Sequence, residues 1–558
     1  MKRVDTPVLV VGAGPAGMTV SLLLSRLGIP NRVVERRAAP QSAPAAHVVN
    51  ARTFEIFRAA GVDMRAIAAA CKNPADSGQV LWVTTLAGQE LGRLPFERQG
   101  DDALAFTPTP LRNLSQHRLE PILLDELRRC PDVTVAYGHA WEVAEQDGEG
   151  VTSRIRDQQS GAVYEVRSRW LIGADGAASP VRKLLGIEPI GPDRLQSFVM
   201  MHFEANLRAL VGHRPGVLYW TTTPGATGAF VAHDIDSTWV YMHPWDPDRE
   251  SLEQYSDGRC TEIVRRAMGT DAHPFAIRTV RAWTMTAQVV ERYRERRIFL
   301  VGDAAHRFPP TGGLGLNTGV QDAHNLAWKI AAVEAGWADD ALLDTYDAER
   351  RPVAQANADV SLQNALRMSE VYQALAAEPL DEDAATTPGD ALRSAIAHQA
   401  EHFDMLGLQL GFAYQSDAIA VESNGTPARA GSVREYVPSA RPGARVPHAW
   451  VKRAGTRLSS LYLFGYDRFT LVAGPAGHPW EAAAAGRIPL DRLLIGRDVV
   501  DEGGLWTTLL GIDADGGVLV RPDQHVAWRA RHGVADSADT LSHVLAVAVM
   551  GPGRERRK

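Results

Sequence analysis

The sequence predicts an α/β fold with an α+β middle portion, and three observations predict it. An apolar strand, a glycine-rich turn, a helix and a second strand open the chain within residues 8–35. Residues 197–245 are dense in aromatic and β-branched residues and broken by turns at Pro224–Gly225 and Asp236–Ser237, the pattern of a mainly antiparallel sheet. Past about residue 425, short strands alternate with turns and helices, which reads as a separate small α/β domain.

The opening stretch is VLVVGAGPAG, residues 8–17. Val8, Leu9, Val10 and Val11 read as a buried strand. Gly12, Gly14 and Gly17 follow at GxGxxG spacing. The first glycine permits the tight turn, the second lets backbone approach a pyrophosphate, and the third lets helix and strand pack closely. The helix N-terminus adds free N–H groups and a positive dipole end. Glu35 ends the next strand, where its carboxylate can accept hydrogen bonds from a ribose. With 49 glycines in 558 residues, roughly 0.4 accidental matches to this spacing are expected in the chain, so the spacing alone carries little. The strand before it, the helix after it and the acidic strand end make it a Rossmann-like dinucleotide-binding unit.

A length of 558 residues suggests two to four domains. The composition, 45% hydrophobic and 22% charged, is that of a soluble globular protein. A net charge of −7, with no long basic run before a short tail at residues 554–558, argues against nucleic acid as a partner. No apolar run approaches the roughly 20 residues of a membrane span. The N-terminal MKRVDTP runs straight into the first strand and leaves no signal peptide, so the cytoplasm is the expected compartment. Cys71, Cys130 and Cys260 are dispersed and form neither a disulfide framework nor a metal site, and no metal is expected.

After Arg36 and Arg37, Asn50 reads as the cap of a helix over residues 50–60. Arg52 falls in its first turn, where a cation opposes the helix dipole; a nearby pyrophosphate would explain it. Residues 115–127 read as a helix with Gln116 and Arg118 near its start, and residues 133–137, 141–145, 151–157 and 163–167 as strands of a meander. The stretch WLIGADGAASPVRKLLG, residues 170–186, runs a short strand into small residues, which implies close backbone approach to a ligand. Most aromatics between residues 203 and 245 read as core, with a minority facing an aromatic ligand. The strand RIFLV ends in GDAAHRFPPTGGLGLNTG, where Pro309 and Pro310 stiffen a loop and Gly312, Gly313, Gly315 and Gly319 free it to wrap a ligand. Asn317 or Thr318 can cap the helix that follows, and residues 376–391 read as a loop or linker.

Three segments, GAGPAG with Glu35–Arg36, ADGAASPVR and GDAAHRFPPTGGLGLNTG, closely resemble the class A flavin-dependent aromatic monooxygenases, the family of para-hydroxybenzoate hydroxylase and phenol hydroxylase. Residues 203–225 and 342–352 look like the dichlorophenol-hydroxylase type. The tail is similar to the thioredoxin-like domain that ends the phenol-hydroxylase branch. It lacks a CxxC, so a structural or dimer-supporting role is expected, with a homodimer as the matching assembly.

The resemblance implies an FAD-binding domain from residues 1–80, 110–190 and 285–375, a substrate-binding domain from 81–109 and 191–284, linker and helices at 376–424, and a thioredoxin-like domain at 425–558. It implies FAD held by Gly12, Gly14, Ala16, Gly17, Glu35, Arg36, Arg52, Gln116, Asp175, Gly302, Asp303, Pro310, Gly313, Gly315, Leu316 and Asn317. NADPH or NADH would be a transient co-substrate, in keeping with the absence of a second GxGxxG unit. O2 adding to the reduced flavin would give a C4a-hydroperoxide whose distal oxygen passes to a phenol-like ring. His47 stands where phenol hydroxylases carry an acidic residue near the substrate, and its pKa range suits taking up the phenol proton. Tyr219, Trp220, His233 and Tyr241, with Pro310, are further substrate candidates, and His306 reads as structural. One departure stands out: many relatives read Pro-Arg-Ala-His where this chain has Pro44, Ala45, Ala46 and His47. The alternatives are a tailoring hydroxylase of a polycyclic or heteroaromatic natural product, an FAD dehydrogenase or oxidase, and a flavin-binding protein whose C-terminal domain is an interaction module.

Overall fold

The computed structural model describes residues 2–377, 388–420, 431–481 and 485–550; of the linker expected at 376–391, residues 378–387 lie outside the described residues, as does the basic tail at 554–558. Lys2–Val11 forms the centre of an eight-stranded sheet. It pairs in parallel with Val163–Gly173 on one side and Asn31–Glu35 on the other. Ile298–Leu300 and Val133–Tyr137 extend the parallel run outward. Val8, Leu9 and Val10 have no exposed surface, as expected for a parallel strand covered on both faces.

Two expectations change here. Val133–Tyr137 leaves the meander and joins the parallel sheet beside Asn31–Glu35. The strands expected at 163–167 and from 170 are one strand, Val163–Gly173. Ser168 and Arg169 look like a break in sequence but simply alternate between the two faces.

A second, seven-stranded sheet runs in the order Ala276–Met285, Gln196–Glu204, Thr238–Trp245, Gly228–Asp234, Leu218–Thr221, Gln79–Val83, Glu90–Pro95. All but one of its pairings are antiparallel; Leu218–Thr221 lies parallel to Gln79–Val83. The amphipathic helix Asp257–Met268 closes one face, packing Val264, Ala267 and Met268 against Phe203, Tyr219, Phe230, Trp239 and Tyr241. The opposite face carries Trp82 and Trp220, which pack with Val48 and Phe403.

The C-terminal unit holds a four-stranded sheet ordered Leu490–Leu494, Phe469–Ala473, Gly517–Val520, Val526–Ala530. The first pair is parallel and the rest antiparallel, the strand order of a thioredoxin-like unit. Buried ion pairs fasten it to the nucleotide-binding portion. Glu349 meets Arg521 at 2.6 Å and Lys329 at 2.8 Å, all three side chains being 0% exposed. A second lock joins Glu55 to Arg445 at 2.5 Å.

Candidate functional site

Four chemistry-bearing segments lie at the carboxyl ends of adjacent parallel strands. Gly12 follows Lys2–Val11, Glu35 ends Asn31–Glu35, Asp175 follows Val163–Gly173, and Gly302–Asp303 follow Ile298–Leu300. The strand after Lys2–Val11 in sequence lies on one side of it and Val163–Gly173 on the other, so the strand order switches here. Open α/β sheets bind their ligands at such a point.

The three glycines do three different jobs. Gly12 has φ +108°, and a Cβ there would stand 2.2 Å from the Ala174 carbonyl oxygen. A Cβ on Gly17 would stand 2.1 Å from the Gly12 carbonyl oxygen. Gly14 instead faces open space, with nothing within 4 Å of its Cβ position. Gly14 also caps the helix Pro15–Arg26 without any side-chain hydrogen bond, so the first N–H groups of that helix face outward unclaimed. Ala16 sets its methyl against Gly302 and Gly319, which brings the helix Leu314–Glu334 onto the first one.

Glu35 accepts a hydrogen bond from the Ala13 N–H at 2.9 Å and from the Arg37 N–H at 2.8 Å. Burial alone would raise its pKa, but the Arg37 guanidinium and these two N–H groups outweigh that and lower it. The neighbouring cation is thus Arg37, while Arg36 is exposed. Arg37 was legible as the second basic residue after Glu35 and was passed over. Gln116 donates to the buried Glu120 at 2.7 Å, and the Gln41 N–H donates to the same carboxylate at 2.8 Å.

Asp175 accepts from Ser179 Oγ, the cap of the helix Pro180–Leu184, at 2.5 Å and from the Val181 N–H in its first turn at 3.0 Å. Desolvation raises its pKa. Asp303 is solvent-accessible yet surrounded by protein, so desolvation raises its carboxyl as well. That combination fits a carboxylate on the wall of a recess. Behind it, Asp322 accepts from the Gly302 N–H at 3.2 Å, from His306 Nε2 at 2.7 Å and from Arg350 Nε at 2.8 Å, which fixes the turn. His306 also stacks on Phe308.

The loop from Pro310 to Asn317 turns at Gly312 and Gly313, with φ +93° and +62°. Pro310 is exposed, and the Cβ position of Gly315 faces open space. Gly313 caps the helix Leu314–Glu334 with no side-chain bond, so a second uncapped helix end, beside Leu316, points into the cleft. The Asn317 side chain is fully engaged: it donates to Val48 O at 2.9 Å and Gly313 O at 2.7 Å and accepts from the Asn50 N–H at 2.9 Å. A contact from Asn317 to a ligand would therefore come from its backbone. Open space at Gly14 and Gly315, two uncapped helix ends and a carboxylate at each end of the cleft fit a dinucleotide carrying a flavin.

Three expectations are corrected by their surroundings. Arg52 is 1% exposed and gives its guanidinium to Glu55 at 2.9 Å, Gln524 Oε1 at 2.7 Å and the Asp523 carbonyl at 2.8 Å. The anion that explains it is Glu55, and it braces the C-terminal unit instead of a pyrophosphate. Tyr219 and Tyr241 are 0% exposed in the core under the helix Asp257–Met268. Their hydroxyls donate to Arg214 O at 3.0 Å and Ala226 O at 2.5 Å. Tyr241→Phe is expected to cost about 1–2 kcal/mol of stability for the lost buried hydrogen bond. It should leave turnover unchanged, which thermal unfolding beside steady-state kinetics will check.

Trp220 and His233 lie on the other face, turned toward residues 47–48. Val48 packs where a Cβ on Gly313 would fall, at 2.5 Å. His47 immediately precedes Val48 in the chain. Its Nδ1 lies 2.9 Å from Asn113 Oδ1, and its ring meets that of His233 edge-on at 5.3 Å. His233 Nδ1 lies 2.6 Å from Ser115 Oγ. Desolvation lowers the pKa of His47, with the Asn113 bond partly opposing it, and lowers that of His233 well below the usual value. Asn113 carries no motif and was not found from sequence.

Glycine turns and uncapped helix ends at the switch point of a parallel sheet are the arrangement of a dinucleotide-dependent enzyme. The chain matches the family model for the FAD binding domain over residues 5–361 and that for the aromatic-ring hydroxylase C-terminal region over 439–552. It is 35% identical to 2,4-dichlorophenol 6-monooxygenase of Delftia acidovorans, over 97% of this chain and 98% of that protein. It is 34% identical to tetracenomycin A2 monooxygenase-dioxygenase of Streptomyces glaucescens, over 98% and 97%. The structure of the flavin-dependent monooxygenase PieE with FAD and substrate superposes with a TM-score of 0.90 at 34% identity, covering 98% of this chain and 99% of that one. The chain belongs to the class A flavin-dependent aromatic monooxygenases and uses FAD. Among the described residues no helix is long and apolar enough to cross a membrane.

Proposed function

We propose that this enzyme hydroxylates a phenolic ring held between the seven-stranded sheet and the Pro310–Asn317 loop, with His47 taking up the phenol proton. The observation that carries this reading is the place of His47, one residue from Val48, which packs on Gly313. FAD, reduced by NADPH or NADH, supplies the oxygen activation when bound. In this reading the uncapped helix end at Gly14 receives the pyrophosphate, Glu35 receives a ribose, and Asp303 receives the ribityl chain. The uncapped end at Gly313–Leu316 receives the flavin ring, and the Pro310 carbonyl lies beside its reacting edge. Trp220 and His233 face the substrate. Protonation of His47 is disfavoured by burial, so the ring stays neutral and able to accept a proton near neutral pH. A phenolate is a better nucleophile than a phenol, so the uptake of that proton speeds attack on the activated oxygen.

The second reading places the phenolic ring inside a fused polycycle. It is favoured by the relative named for tetracenomycin A2, whose identity to this chain matches that of the chlorophenol relative within one per cent. Anaerobic reduction of the bound flavin by NADPH separates the two. A dichlorophenol and a hydroxylated polycyclic quinone are offered in turn, and the one that speeds reduction and yields an oxygenated product is the substrate class. If neither changes the rate or the product mass, the hydroxylase reading of this site fails. We further place the protein in the cytoplasm, with the C-terminal unit in a structural role and a homodimer as its assembly.

A further inference from the structure

We propose that Asn113 and Gln99 are positioning residues that fix the tautomer of His47, so that its lone pair sits on Nε2 and not on Nδ1. This rests on the reading of His47 as the proton acceptor and adds how the chain chooses its basic nitrogen.

Two backbone carbonyls set the orientation of Gln99. Gln99 is 6% exposed, and its Nε2 lies 3.0 Å from both the Ser77 carbonyl and the Phe96 carbonyl. A carbonyl only accepts, so the amide NH2 of Gln99 must point at these two oxygens. The Gln99 Oε1 then points the other way, where it accepts from Ser77 Oγ at 3.3 Å and from Asn113 Nδ2 at 3.5 Å. Asn113, 2% exposed, must accordingly present its NH2 to Gln99 and its oxygen to His47. That oxygen lies 2.9 Å from His47 Nδ1 and can only accept, so Nδ1 carries the hydrogen. Nε2 is left with the lone pair. Among the described residues no hydrogen bond is formed to Nε2, and it is not one of the buried unpartnered atoms, so it stays reachable by a ligand.

The surroundings agree. Asn113 is held on both sides of its backbone: its carbonyl accepts from the Lys72 N–H at 2.8 Å, and Val48 pairs with it across a short two-strand bridge. The groups that face His47 from other elements are His233 on Gly228–Asp234 and, behind it, His117, His202 and Lys72. Arg112 donates instead to the Gln99 and Leu111 carbonyls. The carboxylate of Asp234 is taken by Lys72 and Arg118. Among the described residues no carboxylate bonds Nδ1, which is the usual way to orient a catalytic imidazole; a neutral amide does it here. The consequence is a ring that is oriented by a neutral partner, whose bond only partly offsets the lowering of the His47 pKa by burial.

The test uses the FAD-loaded full chain and reads turnover of its phenolic substrate against pH. Asn113→Asp keeps the shape and places a charge on Nδ1–H. The acid limb of kcat should move to higher pH by about one unit or more, because a carboxylate favours the protonated ring. Asn113→Leu removes the acceptor, and Gln99→Leu frees the Asn113 amide to turn; each should lower kcat about tenfold with KM unchanged. Asn113→Asp in a His47→Ala background should produce no shift. If His47→Ala removes the acid limb but Asn113→Asp leaves the wild-type limb in place, the tautomer proposal is overturned while His47 remains the base. If the acid limb persists in His47→Ala, the underlying reading of His47 fails, and this proposal with it. Nitrogen NMR of the histidine-labelled Asn113→Leu protein gives a readout independent of turnover: Nδ1 of His47 should lose its exclusive protonation.

Discussion

Glu349→Ala is expected to cost about 3–5 kcal/mol and to release the C-terminal unit from the nucleotide-binding portion. The carboxylate meets Arg521 and Lys329 in the interior and also accepts from Asn325 Nδ2 at 2.7 Å and from Ser416 Oγ at 2.7 Å. Its removal leaves the buried Lys329 ammonium without a carboxylate and leaves Arg521 only its pair with Asp523. Thermal unfolding should move to lower temperature, and limited proteolysis should cut between the FAD-binding portion and the C-terminal unit. The same pair sets an acid limit. Burial pushes the Glu349 pKa up, but Arg521 and Lys329 outweigh it and hold the pKa well below the ordinary 4.5. A depressed carboxylate contributes stability that is fully present above that ordinary value and drains away as the pH falls below it. Unfolding midpoints followed from neutral pH downward should therefore drop from about pH 4.5 in the wild type, and less steeply in Glu349→Gln.

His47→Ala is expected to lower hydroxylation about a hundredfold to ten-thousandfold, the range over which a positioned base acts. Folding and flavin content should be retained, since among the described residues the half-buried ring hydrogen-bonds Asn113 alone. The pH profile carries the diagnosis. Desolvation lowers the pKa of His47, so the wild-type rate should fall only as the pH drops below the ordinary 6.5 and the ring takes up its proton. In the variant that limb should vanish. Turnover should instead climb toward alkaline pH, where a phenol of pKa about 10 ionises unaided. A variant with the wild-type rate and an unchanged profile would remove His47 from the chemistry.

The parts of this molecule that sequence reading reached are those written locally. The glycine turn sits between a strand and a helix a few residues apart, and Asn50 caps its helix by accepting from the Thr53 N–H. The strand expected at 151–157 is found as Val151–Asp157. What escaped depends on partners far along the chain. Arg52 has its anion one turn on at Glu55, but its burial becomes clear only when Asp523 and Gln524 are brought to it. Residues 133–137 read as a strand, but their place beside Asn31–Glu35 is a matter of sheet order, which no local pattern encodes. Two of the substrate candidates, Tyr219 and Tyr241, fall in the core for a simpler reason. Tyr219 and Trp220 are adjacent on one strand and must face opposite sides, so both could not line one pocket. The helix Asp257–Met268 decides which side is core, and it takes Tyr219. Asn113 and Gln99 have no motif at all; only their geometry around His47 reveals them.

The most direct measurement is the fate of oxygen. The FAD-loaded enzyme is given NADPH, isotopically heavy O2 and a phenolic aromatic, and the products are weighed by mass spectrometry. One heavy oxygen atom on the ring for each NADPH consumed is the expected result, with His47→Ala diverting most of that oxygen to hydrogen peroxide. Full conversion of the heavy O2 to hydrogen peroxide by the wild-type enzyme, with no labelled ring product from either a dichlorophenol or a hydroxylated polycyclic quinone, would contradict it.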